Sequence, residues 1–313
     1  KNLFNLFQTS SRVFNQNKNM FTNTVVRSLT SVADQSSKHD YKTLKLTSPK
    51  PFVVHVELNR PDKYNSLNKQ MWTELLSCFE NLNDDPDCRA IVISGSGKHF
   101  TAGIDLNDMM KLAAALAEIE EVSRKGRFFE KAIKLYQDSM SSLEKCYKPV
   151  ITAVHSACVG AGVDLITAAD IRFCTKDAWF QVKEVDIGMA ADVGTLQRLP
   201  KVIGSQSLAR ELCFTARKFH SAEAKDCGLV SQVFEDKNAM MDKAIELAEF
   251  IASKSPVAVQ GTKKNMIYSL DHTNQEGLDQ IREMNMLNLQ SEDFFNAVVG
   301  QQTKGEPVVF AKL

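Results

Sequence analysis

Twice along this chain a short β-branched run leads into a turn of small residues and then into a helix-forming stretch, and this repeated order constrains the fold more than any other feature. In the first instance Ala90 to Ser94 reads as a buried strand, Phe100 to Asp105 as the turn, and a helix is predicted to begin near Asp105. In the second, Pro149 to Val154 is the strand, His155 to Gly162 the turn and Val163 to Ala169 the helix. A turn placed between a strand and a helix leaves backbone N–H groups unpaired and able to receive a ligand oxygen. Taken singly, the first is an ordinary tight turn with Asp105 as helix cap. Two such turns together could form an oxyanion hole.

The second unit opens onto the stretch Cys158 to Asp192, which carries Asp164, Glu184 and Asp192 on short elements separated by small residues. A carboxylate in a low-dielectric pocket has its charged form disfavoured, and several in one pocket raise one another's proton affinity. Proton transfer near neutral pH is the chemistry such a group suits. Asp164 also reads as a plain helix cap, and that alternative stays open.

Composition sets the limits. The 313 residues suit one large domain with appendages, and the 43% hydrophobic share allows a sizeable core. Lys plus Arg and Asp plus Glu each number 38, so the electrostatic footprint of a nucleic-acid binder is missing. A small-molecule partner is expected instead. The seven cysteines (78, 88, 146, 158, 174, 213 and 227) contain no CxxC pair, which indicates neither a disulfide framework nor a metal site. No apolar run approaches the roughly 18 residues that a membrane helix needs, so no membrane insertion is expected.

The remaining elements follow in order. Residues 1 to 33 carry Lys1, Arg12, Lys18 and Arg27 and no acid before Asp34. That pattern resembles a mitochondrial transit segment and equally suits a disordered tail, so residues 1 to 40 are placed outside the fold. Phe52 to Leu58 is a predicted strand, and Asn68 is expected to cap a helix running to about Asn83. Gly95 to Lys98 lacks the first glycine of a phosphate loop and has His99 where Ser or Thr should stand. Residues 108 to 146 read as two helices, the second from Phe128 to Tyr147. Ile171 to Cys174, Trp179 to Val182 and Leu229 to Phe234 read as strands. Helices are predicted at Val193 to Leu199, stopped by Pro200, at about 205 to 213 and at 221 to 227. The core ends near residue 236, and 237 to 302 is nearly all helical, with Pro256 restarting a helix and Met284, Met286, Leu287 and Leu289 asking for a partner surface. Lys304 to Pro307 is expected to be flexible. The tail, residues 303 to 313, ends in Ala311, Lys312 and Leu313, which resembles the tripeptide read by the peroxisomal import receptor.

Four motifs, in order, carry a resemblance to the crotonase (enoyl-CoA hydratase/isomerase) superfamily from about Phe52 to about Gln302: Leu58 to Leu67, Phe100 to Asp105, His155 to Asp164 and Phe180 to Leu199. Within it the chain most resembles the dienoyl-CoA isomerase branch, through GVDL at 162 to 165, VKEVD at 182 to 186 and AADVGTLQRLPK at 190 to 201. Hydratases of the superfamily usually carry glycine near the third acid position, so Asp192 speaks against simple hydration.

The resemblance implies an α/β fold: a β-β-α spiral core followed by C-terminal helices that pack between subunits of a homo-trimer or homo-hexamer. It implies that the N–H groups of Ile104 and Ala161 hold the oxygen of an acyl-CoA thioester, with Gly162 beside them. Position 161 is usually glycine in the family, and the extra methyl here crowds the thioester. Lys63 and the stretch Ala102, Ile104, Asp105, Leu106, Asn107 and Asp108 are the implied lining for the CoA arm, although Lys63 equally reads as a solvated lysine. No cofactor is implied, CoA being part of the substrate. The implied reaction is isomerisation of a 3,5-dienoyl-CoA to the 2,4 form, with a proton lost at C2 and one gained at C6. Glu184 and Asp192 are the separated acid and base, and Asp164 tunes or holds them. A hydratase or thioesterase-like crotonase, and a non-catalytic scaffold binding protein or RNA, are the competing readings. The retained acids and the neutral charge weigh against the scaffold. Peroxisome and mitochondrion, either or both, are the expected addresses.

Overall fold

The computed structural model describes residues 40–302 and 308–313. The basic N-terminal stretch and Lys304 to Pro307 therefore lie outside the described residues. The chain opens with the hairpin β1 (Leu44–Lys50) and β2 (Val53–Leu58), then α1 (Lys69–Asp84), β3 (Ala90–Gly95), α2 (Leu106–Ala117) and α3 (Val122–Lys145). Next come β4 (Val150–Val154), β5 (Ala157–Val159), α4 (Ala161–Thr167), β6 (Ile171–Thr175) and β7 (Trp179–Gln181). A short 3-10 helix, Glu184–Ile187, precedes α5 (Thr195–Val202), α6 (Gln206–Thr215), β8 (Phe219–His220), α7 (Ser221–Asp226) and β9 (Gln232–Phe234). The last helices are α8 (Lys237–Ala252), α9 (Pro256–Tyr268), α10 (Asn274–Asn288) and α11 (Glu292–Gln302).

Six strands form the main sheet in the order β1-β2-β3-β4-β6-β9, parallel except for the β1–β2 hairpin, and β5-β7-β8 form a second, smaller sheet. The two-residue period of a strand sends its side chains alternately to two cores. Ile91 and Ile93 of β3 join the large core with Leu58, Trp72 and Phe79, while Ala90 and Val92 face a smaller one. That smaller core is closed by α8, whose Met240, Ala244, Ala248 and Ala252 recur every four residues as one buried stripe. Alanine at this spacing lets the helix lie close on the sheet.

Most predicted elements appear, with instructive displacements. The edge strand β1 was not legible, because its burial is not alternating and it contains Pro49. The α3 helix begins at Val122 rather than Phe128, since the Glu121 carboxylate accepts the N–H groups of Ser123 and Arg124, both at 2.9 Å. Three residues of the second turn form β5, and α4 starts two residues early, at Ala161. Pro200 lies inside α5 instead of ending it. Its φ is already helical, and only the carbonyl of the exposed Leu196 loses a helical partner. The strand expected from Leu229 starts at Gln232, because the Val230 N–H is taken by the Ala224 carbonyl at 3.1 Å.

Among the described residues, α10, α11 and the turn between them leave Met286, Leu287, Leu289 and Phe295 exposed. The final segment lies against the core: Arg89 donates to the carbonyls of Phe310 at 2.8 Å and Ala311 at 2.9 Å, and Lys312 pairs with Asp87. No helix among the described residues is long and apolar enough to cross a membrane.

Candidate active site

The two turns singled out in the sequence lie side by side. Thr101 and Cys158 form an isolated parallel bridge, in which the Thr101 N–H reaches the Ala157 carbonyl at 3.0 Å and the Val159 N–H reaches the Thr101 carbonyl at 3.2 Å. Leu67 holds the first turn from its other side, accepting from Asp105 at 3.0 Å and donating to Gly103 at 2.8 Å. Between these fixed points the Ile104 N–H has no acceptor among the described residues. The Ala161 N–H, first in α4, is likewise unpaired. Both residues line one cavity of about 390 Å³.

The glycines here answer to close approach. At Gly103 (φ +89°) a Cβ would stand 2.7 Å from the Val159 carbonyl oxygen. At Gly160 (φ +52°) it would stand 3.2 Å from Glu184 Oε1, so the bare backbone lets that carboxylate lie over the second turn. Gly162 serves packing: a Cβ there would meet the Thr101 methyl at 2.5 Å, and the residue does not line the cavity.

The Leu58 to Leu67 motif works as a brace. Asn65, fully buried, donates to the carbonyls of Ser96 at 2.8 Å, His99 at 2.9 Å and Phe100 at 3.2 Å, and accepts from the Arg60 N–H at 2.8 Å. Arg60 pairs with Asp105 at 2.9 Å, and Asp105 caps α2 through the Asn107 N–H at 3.0 Å. That pairing and the cap hold the Asp105 carboxyl below its usual range against the opposing effect of burial. Of the stretch implied to line the CoA arm, Ala102, Ile104, Asp105 and Leu106 reach the cavity wall. Asn107 and Asp108 do not, and Asp108 instead accepts the Lys69 N–H at 2.6 Å. Lys63 is exposed and away from the wall.

The three acids divide. Glu184, which starts the 3-10 helix after β7, and Asp192, on the loop before α5, both face the cavity. Asp164 does not. It is fully buried in α4, and its Oδ1 accepts the N–H of Thr195 at 2.5 Å, so it caps α5 and not its own helix. Burial pushes Asp164 up to about 6, opposed by Thr195 and by the Arg198 charge. Burial, and then the charge of Asp164, push Glu184 up to about 7. Burial also raises Asp192, which is half-buried. One oxygen each of Asp164 and Glu184 is buried without a hydrogen-bond partner. Such an arrangement keeps a proton available near neutral pH.

The opposite wall escaped the sequence reading. Met109 and Leu112 of α2 and Phe129, Ala132, Ile133 and Tyr136 of α3 make it apolar. Positions 129, 132, 133 and 136 share one face of a helix, a periodicity present in the sequence but indistinguishable there from a core stripe. Tyr136 packs against Trp72 with ring centroids 4.7 Å apart and the rings tilted by 33°, and the nearby charges of Asp108 and Asp192 add to burial in raising its phenol. Among the described residues no cluster of His, Cys, Asp and Glu could hold a metal ion.

Comparison with known proteins gives concordant results. The family described as Enoyl-CoA hydratase/isomerase matches residues 50–300. The mitochondrial Delta(3,5)-Delta(2,4)-dienoyl-CoA isomerase of Rattus norvegicus is 49% identical over 308 residues, covering 95% of this chain and 93% of its own. Its Homo sapiens counterpart is 52% identical over 281 residues, covering 89% and 85%. The peroxisomal protein of that name from Arabidopsis thaliana is 42% identical, covering 87% and 98%. The crystal structure of an enoyl-CoA hydratase from Bacillus anthracis superposes with a TM-score of 0.77 at 27% identity, over 87% of this chain and all of that one.

Proposed function

The chain belongs to the enoyl-CoA hydratase/isomerase family, and from that premise we propose that it is an isomerase converting 3,5-dienoyl-CoA thioesters into their 2,4 isomers. The observation that carries this reading is the pair Glu184 and Asp192 on one cavity with two unpaired N–H groups. A single carboxylate would serve one carbon only, whereas the reaction needs proton traffic at C2 and at C6.

The thioester oxygen accepts the N–H groups of Ile104 and Ala161. Removing the C2 proton drives negative charge onto that oxygen, and two aimed donors stabilise it by several kcal/mol. Glu184 lies over Gly160, the residue before Ala161, and so stands at the thioester end. It takes the C2 proton. The C2–H electron pair becomes the C2–C3 double bond, the C3–C4 pair moves to C4–C5, and the C5–C6 pair collects a proton at C6 from Asp192. Atoms and electrons balance without a co-reactant once Glu184 releases its proton and Asp192 takes one up from solvent before the next turnover, and CoA arrives as part of the substrate. The apolar wall of α2 and α3 receives the acyl chain, while Asp164, behind the cavity, fixes the start of α5 and raises the proton affinity of Glu184.

The exposed apolar side chains of α10 and α11 support a homo-oligomer, a trimer or hexamer. Mitochondrion, peroxisome or both are the compartments, as in the names of the animal and plant relatives.

The test is to add a 3,5-dienoyl-CoA and follow absorbance. The conjugated 2,4-dienoyl thioester absorbs at longer wavelength, and its appearance with no change of mass is the expected result. A product heavier by one water would replace this reading with hydration.

A further inference from the structure

We propose that Gln137 is a positioning residue for this isomerisation, holding the Asp192 main chain from α3. Gln137 Nε2 donates to the Asp192 carbonyl at 2.7 Å. The loop in question begins where the Met189 N–H meets the Glu184 carbonyl at 3.1 Å and ends where the Thr195 N–H meets Asp164 at 2.5 Å. Between those points the Gly194 carbonyl accepts from Gln197 at 3.1 Å and Arg198 at 2.9 Å as α5 begins, and among the described residues the Gln137 contact is the one hydrogen bond that ties the loop to an element other than α5.

The loop is built to need such a tie. It is flanked by Gly188 (φ +77°) and Gly194 (φ +139°), conformations that give the chain pivots at both ends. A Cβ on Gly188 would touch nothing within 4 Å, so packing does not fix that end. Asp192 and Val193 also form a partition, lining the substrate cavity on one side and a larger one of about 1370 Å³ on the other. Ala191 and Val193 are buried on either side of Asp192, and Gln137 reaches the half-buried residue between them from the larger cavity.

The helix that provides this tie also builds the substrate wall. Tyr136, one residue earlier, faces the substrate cavity with Ala132 and Ile133. Further along, Ser141 and Glu144 accept from Arg198 Nη2 at 3.0 Å and 2.6 Å, binding α5 to the same helix. One rigid element therefore sets both where the acyl chain lies and where the Asp192 carboxyl stands. A misplacement of about 1 Å at a reacting group can cost roughly 100-fold in rate.

The proposal rests on the isomerase reading, so the test pairs an activity measurement with one that needs no substrate. Gln137 is exposed, and Gln137→Met keeps its length while removing the donor. In Gln137→Met, kcat on a 3,5-dienoyl-CoA should fall about 10- to 100-fold with KM within about twofold. Gln137→Glu, which faces the carbonyl with an ionised group, should lose at least as much. Amide hydrogen exchange of residues 189–194 should accelerate in both variants, with the sheet amides unchanged. Unaltered exchange in that loop, or a loss confined to KM, overturns the proposal. If the wild-type protein does not isomerise the substrate, the functional reading fails, and the exchange data alone decide whether Gln137 holds the loop.

Discussion

Replacing Glu184 by Gln should make the protein more stable at alkaline pH, by an amount that the burial of the carboxyl sets. Glu184 is 8% exposed and one of its oxygens has no hydrogen-bond partner. Its carboxyl ionises at about 7 in the folded chain against an ordinary 4.5. Between those values the folded protein keeps a proton that the unfolded chain has released. Stability is therefore full below about 4.5, declines as pH rises through 7, and is lower by about 3 kcal/mol at pH 8. The Gln amide never ionises and avoids that loss. Asp164, raised from 3.8 to about 6, behaves in the same sense in a lower window, and it is present in both proteins. The difference in melting temperature between variant and wild type, measured by calorimetry from pH 5 to pH 8, should thus grow with pH. At about 1.5 °C per kcal/mol for a chain of this size, it should reach roughly 5 °C. A difference that stays flat across the range would refute the claim that the folded chain holds Glu184 against ionisation.

Three further outcomes follow from the geometry. In deuterated water Asp192→Asn should lose isomerisation by about 100-fold or more yet still exchange the C2 proton of the substrate, whereas Glu184→Gln should do neither; mass spectrometry of recovered thioester reads both. Gly162→Ala, which forces a Cβ to within 2.5 Å of the Thr101 methyl, should destabilise by about 1–3 kcal/mol in denaturant titration. Ala132→Trp, which fills the acyl wall, should raise KM about tenfold for long acyl chains while sparing short ones; equal KM values would place the chain elsewhere.

What the sequence revealed is what local pattern encodes. Ile91, Ile93 and their β-branched neighbours alternate within six residues, and Asn68 and Pro256 mark helix starts by chemistry that acts within a single turn. The two small-residue turns were visible for the same reason. Contacts that span the chain were not visible. Asp164 read either as tuning the other two acids or as a cap for its own helix, because nothing nearby shows that its partner N–H lies 31 residues on. Asn65 sat inside a recognisable motif, yet its work on three carbonyls more than 30 positions away is a property of the folded loop. Lys63, in the middle of that motif, turned out solvent-facing. The apolar wall of α3 carried the right period and no mark to separate a ligand-facing stripe from a core-facing one. Gln137 is a polar residue on a polar face, and only the path of the 189–194 loop gives it a task.

The three acids show how a shared neighbourhood assigns different work to similar groups. Asp164 has one oxygen committed to the Thr195 N–H and no access to the cavity, so its charge acts on its neighbours and not on a ligand. Glu184 feels that charge on top of its own burial, and the result is a carboxyl poised near neutrality beside the second turn. Asp192 is half-buried, on a loop with glycine pivots, and reaches the cavity from the side of Tyr136. One proton donor and one acceptor must coexist at the start of each turnover, and two carboxyls with identical surroundings would compete for the same proton. In the proposed mechanism turnover starts from the form with Glu184 ionised and Asp192 protonated, and ionisation of Glu184 at about 7 makes an ionised Glu184 accessible near neutral pH. In the proposed mechanism the enolate oxygen rests on the N–H groups of Ile104 and Ala161, and the second acid on the cavity is what lets a proton be returned further along the chain.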